Sequence, residues 1–189
     1  MTEIKVPEAA GERYAVILAD PPWSYDRKAG AGVADDIYNT MPLGDIKALP
    51  IGDLAQENAV LLLWATFPML REALEVVEAW GFRYRTVAFN WIKLNRDGSP
   101  FFGIGHYTKS NSEICLLAVR GKGVPVIDNT ISQVVMTVRR DHSRKPDKVY
   151  AQIEQLWGPQ RRVELFARHR REGWACWGNQ VPKETQVIL

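Results

Sequence analysis

Short apolar runs alternate along the chain with polar connections marked by glycine and proline, at spacings that belong to an α/β domain. Residues 14–19 are apolar without interruption and bounded by charge, the pattern of a strand covered on both faces. Residues 59–64 repeat it. From Pro68 to Gly81 the period changes: Leu70, Ala73, Leu74, Val77 and Trp80 share one helical face, with proline at the start and glycine at the end. Residues 82–93 then read as a long strand, so 59–93 form a strand, crossover helix, strand unit. Further strands are expected at 113–119, 133–138, 162–167 and 174–177. A short helix is expected at 42–49, and a longer one at 146–157, where Val149, Tyr150, Ile153, Leu156 and Trp157 fall at helical spacing and Gly158-Pro159 stops it. Loops fill 24–39, 95–109 and 121–130. The alternation predicts an α/β fold with a mixed, largely parallel sheet and helices on both faces.

At 189 residues, with no linker or internal repeat, the chain reads as one domain, residues 1–12 and 183–189 forming flexible tails. The net charge of +2 does not by itself announce nucleic acid. Its distribution says more: Arg139, Arg140, His142, Arg144 and Lys145 form one basic run, and Arg161, Arg162, Arg168, His169, Arg170 and Arg171 another. Cys115 and Cys176 sit in apolar segments and read as buried free thiols, not a disulfide or metal site, which implies a reducing setting. The N-terminal segment is polar and no run approaches a membrane span, so a soluble cytoplasmic protein is expected.

The chemistry concentrates where the first strand ends, at Asp20-Pro21-Pro22-Trp23. Strand ends of this kind hold ligands in α/β sheets. Two prolines stop the ladder and leave the carbonyls of Asp20 and Pro21 available as acceptors. A carboxylate beside a free carbonyl on a stiff turn can take both hydrogens of a planar exocyclic amine, and Trp23 offers a face for stacking a base. A purely structural reading, with Trp23 filling core space, leaves the acid at a buried strand end without a reason. The polar stretch 24–39, directly after the motif, is a candidate mobile lid.

This tetrapeptide resembles the catalytic motif of the adenine-N6 methyltransferases typified by the catalytic subunit of the eukaryotic mRNA methylation complex. The resemblance is to a short member of bacterial or phage kind. It runs over residues 14–181, with further matches at Tyr38-Asn39-Thr40-Met41, Lys145-Pro146-Asp147, Glu164-Leu165-Phe166 and Gly178-Asn179-Gln180. It implies a three-layer, Rossmann-like methyltransferase fold in which the catalytic motif precedes the cofactor strand, and S-adenosylmethionine as cofactor. No Gly-x-Gly-x-x-Gly follows a strand and no phosphate loop exists; Gly103-Ile104-Gly105 runs on into His106-Tyr107, a poor dinucleotide signature.

By the same resemblance, Glu164 to Arg168 is the cofactor strand, Arg168 reaching the ribose or carboxylate region. Asn179 and Gln180 would hydrogen-bond the cofactor's adenine, and Lys109 would receive its carboxylate. Asp20 would lie near both the cofactor's amine and the target base, with Pro21, Pro22 and Trp23 completing the catalytic motif. Tyr38 would wall the base pocket. Trp91 and Lys93, ending another strand, stand either at its mouth or in core and surface roles, and His106 is either a base contact or a solvated loop residue. The expected reaction is methyl transfer to the exocyclic amine of adenine in DNA. The same reaction on RNA, or a catalytically silent nucleic-acid-binding partner, are the alternatives. The target adenine must be single stranded or flipped out. A homodimer or a partner subunit is compatible with this length.

Overall fold

The computed structural model describes residues 13–24, 40–140 and 144–183. Tyr38, nearly all of the expected lid and nearly all of the expected tails lie outside the described residues.

Six consecutive apolar residues cannot leave one face to water, and β1, Tyr14–Ala19, is buried at every position. It lies inside the sheet between β2 (Ala55–Ala65) and β6 (Arg162–Leu165), parallel to both. With β3 (Arg83–Leu94), β4 (Ser112–Arg120), β5 (Val134–Val138) and β7 (Ala175–Trp177), the order is β5-β3-β4-β2-β1-β6-β7. β4 runs antiparallel to both of its neighbours, and every other adjacent pair is parallel. The helices are α1 (Leu43–Ala48), α2 (Ile51–Leu54), α3 (Leu70–Ala79) and α4 (Asp147–Trp157).

The pleat of β1 sorts the core into two halves. Ile17 and Ala19 join Ile46 of α1 and Ala73, Val76 and Val77 of α3, whereas Val16 and Leu18 join Val149, Ile153 and Trp157 of α4. The expected three layers result. Leu61, Leu62 and Leu63 of β2 are 0% exposed, and burying each contributes about 1.5–3 kcal/mol, so β1 and β2 form the rigid centre on which the site is built.

Several elements depart from the sequence pattern. β2 starts four residues earlier than the apolar run because Ala55 pairs with Tyr14. α2 has no periodic signal. The crossover through α3 joins parallel strands, but β4 lies between them. β6 ends at Leu165 and not at residue 167, because Phe166 adopts a φ of 61°, a left-handed conformation that breaks the ladder. The turned chain then packs against Gly178, where an added Cβ would lie 2.2 Å from the carbonyl oxygen of Ala167 and 2.6 Å from its nitrogen. Gly178→Ala is therefore expected to cost about 1–3 kcal/mol. Thermal melts should show a loss of about 2–4 °C for each kcal/mol, and an unchanged melting temperature would contradict this close approach.

Candidate active site

Asp20 follows β1 directly, at the edge of the sheet where β1, β2 and β3 end and β4 begins. The two prolines end the ladder, and the turn beyond them is tied down. The Trp23 amide donates to the carbonyl of Pro21 at 2.9 Å, and the Met41 amide to that of Pro22 at 2.8 Å. The Pro21 carbonyl is thus already engaged, contrary to expectation, although a carbonyl oxygen keeps a second lone pair. Trp23 corrects a second expectation. It is only 7% exposed, and its Nε1 donates to the carbonyl of Trp64 at 3.1 Å. The indole braces the motif from within the core instead of offering a free stacking face.

The acid itself is held by a chain of alternating charges. Lys145 Nζ donates to both carboxylate oxygens of Asp20, at 2.8 and 2.7 Å, and lies 3.3 Å from Glu113 Oε2. Glu113 Oε1 accepts in turn from Lys93. The four side chains come from three strand ends and from the residue before Pro146, which precedes α4. Burial alone would lower the pKa of Lys145, but Asp20 and Glu113 outweigh it and raise the pKa above the usual lysine value. Burial likewise works to raise the pKa of Glu113, yet Lys145 and Lys93 hold it below the ordinary carboxylate value. Lys145 Nζ also sits 5.4 Å from the centre of the Trp64 ring, a cation–π contact. The sequence reads Lys145 as one cation of a basic run, not as the partner of Asp20, and gives Glu113 no role. The signal for Lys145 is its place in the Lys145-Pro146-Asp147 match; Glu113 has none.

A cavity of about 790 Å³ opens beside this chain, between the ends of β1 and β6 and the start of α4. Asp20, Lys145, Tyr150 and Glu164 line it, together with Arg168 and Arg171. Tyr150 donates its hydroxyl to Glu164 Oε1 at 2.7 Å. The Arg171 guanidinium lies 3.8 Å from the centre of the Tyr150 ring and is paired at 2.7 Å with Asp147. Burial pushes the Glu164 carboxyl up to about 7, against the lowering effect of the Tyr150 hydrogen bond and with a further raising contribution from the charge of Asp20.

A strand-end acid beside a large cavity is joined by a family match over nearly the whole chain, since the MT-A70 family pattern aligns with residues 14–180. The chain belongs to the MT-A70 family. It is 31% identical over 195 residues to the Type II methyltransferase M.MunI from Mycoplasma sp, with 93% of this chain and 81% of that protein aligned. It is 30% identical over 177 residues to the N(6)-adenosine-methyltransferase MT-A70-like protein of Arabidopsis thaliana, covering 89% of this chain and 24% of the relative. The catalytic subunit METTL3 of Homo sapiens is 29% identical, with 89% of this chain and 28% of METTL3 covered. The chain thus spans about a quarter of these eukaryotic MT-A70 relatives and most of the Mycoplasma one. The expected family and its Rossmann-like, three-layer fold agree with the MT-A70 match and the sheet.

Within this MT-A70 domain, Asp20, Glu164 and Arg168 meet at the cavity. Glu164 is no surface acid. Lys109 is exposed on the connection between β3 and β4 and takes no part in the lining; the cations there are Arg144, Lys145, Arg162, Arg168, Arg170 and Arg171. Trp91 does not reach the mouth either. It is 3% exposed, its Nε1 bonded to Thr137 Oγ1 at 2.8 Å. Lys93 serves Glu113, His106 is exposed on the same connection as Lys109, and Asn179 and Gln180 are exposed after β7, outside the lining. Cys115 and Cys176 are free and buried, as expected.

Glu164 gives a pH prediction. Its folded pKa of about 7 exceeds the model-compound value of 4.5, so the fold favours the protonated form and ionisation opposes folding. Stability should fall as pH rises from 4.5 through 7, by an amount on the order of 3 kcal/mol for this group. Urea unfolding of Glu164→Gln at pH 5 and pH 8 should show a smaller decline than the unaltered protein; equal declines would place Glu164 in water.

Proposed function

We propose that the chain transfers the methyl group of S-adenosylmethionine to the exocyclic amine of adenine in DNA. The observation that carries this reading is Asp20, paired with Lys145 at the end of β1 and lining the large cavity, in a chain of the MT-A70 family.

The cavity suits the cofactor's chemistry. Glu164 is a half-buried carboxylate that accepts from the Tyr150 hydroxyl, and two sugar hydroxyls would supply further donors that favour its charged form. Arg168 and Arg171 at the same cavity, and not Lys109, suit a carboxylate. Asn179 and Gln180, exposed outside the cavity lining, carry paired donors and acceptors suited to an adenine edge that extends beyond it. When bound, S-adenosylmethionine supplies a methyl group on a positively charged sulfur.

The target amine is a poor nucleophile because its lone pair is delocalised into the ring. Asp20, with lone pairs beyond those engaged by Lys145, can accept the amine hydrogens, favour a pyramidal nitrogen and localise that pair toward the methyl group. Lys145 orients the carboxylate and, with its pKa raised, keeps its own proton at neutral pH. The methylated amine sheds a proton readily, so positioning and electrostatics account for the catalysis without a strong base.

DNA is favoured because the relative that the chain aligns with over most of its length is a Type II methyltransferase. The N(6)-adenosine-methyltransferases, of which it spans about a quarter, support RNA as the second reading. Incubation with labelled S-adenosylmethionine and matched single-stranded DNA, duplex DNA and RNA, followed by digestion to nucleosides, tests both. Label in N6-methyldeoxyadenosine is expected. Label in cytosine, or none on any polymer, would overturn the reading.

A further inference from the structure

We propose that the tip of the connection between β3 and β4 is an apolar wedge that enters a duplex beside the target adenine and fills the stack the base vacates. The inference rests on the adenine methyltransferase reading above and assigns to this segment a role that reading does not contain.

The tip is exposed in an unusual way. Ile104 is 97% and Tyr107 105% exposed, more than any other large apolar side chain among the described residues, and Phe102 beside them is 64% exposed. Exposure of this kind is unfavourable unless something covers it.

Its shape is nevertheless set. Gly103 and Ser110 exchange both backbone hydrogen bonds, at 2.7 and 3.3 Å, which closes a hairpin. At Gly105 the chain turns so tightly that a Cβ would lie 2.0 Å from the Thr108 carbonyl oxygen. Lower down, the Phe101 amide donates to the Lys93 carbonyl at 2.9 Å, and the Arg139 guanidinium covers the Phe101 ring at 4.2 Å. Phe101 is thus spent on the base of the hairpin, and Ile104 and Tyr107 are left at its end.

Its position fits the reaction. The two arms rise from Lys93 and Glu113, which pair with each other, and Lys145 links Glu113 to Asp20, so the hairpin projects from the sheet edge that carries the acid. An adenine within a duplex cannot reach Asp20 until it swings out of the stack, and proteins that unstack DNA insert apolar side chains at the opened step. A flat phenol and a branched aliphatic chain suit that gap. Arg96, His106 and Lys109 are exposed along the same hairpin, whose one acid, Asp97, is turned to Ser99; the basic groups suit the phosphates on either side, which favours a polyanion over a protein surface as the occupant.

The test compares the unaltered protein with the Ile104→Ser/Tyr107→Ser double variant on one target sequence, offered as duplex and as single strand. A wedge matters only where a stack must be opened. The ratio of duplex to single-strand rate should therefore fall about tenfold or more in the variant. Fluorescence of 2-aminopurine at the target position should rise on binding of the unaltered protein to duplex and rise much less with the variant. An unchanged ratio with undiminished fluorescence overturns the wedge. So does activity of the unaltered protein on single strands alone, which leaves the methyltransferase reading intact. Equal loss on both substrates, with conversion of a dimer to a monomer in sedimentation, overturns it in favour of a contact between copies of the chain. No transfer by the unaltered protein on any polymer sinks the underlying reading and the wedge with it.

Discussion

Asp20→Asn is expected to lower kcat/KM for methyl transfer by about a hundredfold to ten-thousandfold, the range seen when a positioned polar group at a reacting atom is lost. The substitution keeps the shape of the side chain, so β1 and the proline turn should survive it. What changes is the charge and half of the acceptor capacity. The carboxylate offers two acceptor oxygens, both already facing Lys145 Nζ at 2.8 and 2.7 Å. The amide would turn either its NH₂ group against that ammonium, donor against donor, or its NH₂ group toward the incoming amine, with the same conflict there. No orientation serves both. Initial rates with labelled S-adenosylmethionine on a DNA substrate measure the effect. Activity within about threefold of the unaltered protein would show that the acid does not touch the reacting amine.

Lys145→Met is expected to cost about 3–5 kcal/mol of stability, the typical effect of removing one partner of a buried ion pair. The reason is the two acids it separates. Without the ammonium, Asp20 and Glu113 face a shared space in which, among the described residues, Lys93 at Glu113 is the remaining ion-pair partner. Loss of the Lys145 charge removes a group that holds the Glu113 carboxyl down, so Glu113 should bind a proton more readily, and transfer activity should fall as Asp20 loses its orienting partner. Urea unfolding gives the first quantity. A cycle with Asp20→Asn isolates the coupling, since the double variant should lose less than the sum of the two single losses. Additive losses would mean that the contact contributes nothing.

The direction of the pH dependence follows from the same chain of charges. Glu113 is held below its ordinary value, so its contribution is present above about pH 4.5 and is lost on acidification. Lys145 is held above its ordinary value, so its contribution disappears only in strong alkali, beyond pH 10.5. Between these limits, Glu164 is the group of this site with a folded pKa near neutrality.

Elements with chemical marks at both ends were legible from local sequence. β1 runs from Tyr14 to Ala19 as expected because charge precedes it and two prolines follow. α4 was readable from Pro146 and Gly158. Features set by distant partners were not. Trp23 looks like an open ring until Trp64, far along the chain, supplies a carbonyl for its indole nitrogen. Lys145 reads as one more cation in a basic run, because the acid that pairs with it is 125 positions away. Lys109 has the right charge, but it stands on a hairpin that carries it away from the cavity lining. The early end of β6 depends on one backbone angle at Phe166, a residue whose type gives no warning of it.

The reversed direction of β4 has a further consequence. It makes the link from β3 to β4 the one strand connection, among the described elements, that both leaves and re-enters the sheet at the edge carrying Asp20. Loops anchored at both ends on a rigid sheet tolerate changes in length at small thermodynamic cost. In this architecture the hairpin can therefore be lengthened, shortened or exchanged while the catalytic acid, its lysine and the cavity stay as they are. The domain is built like a tool with a fixed body and a replaceable head.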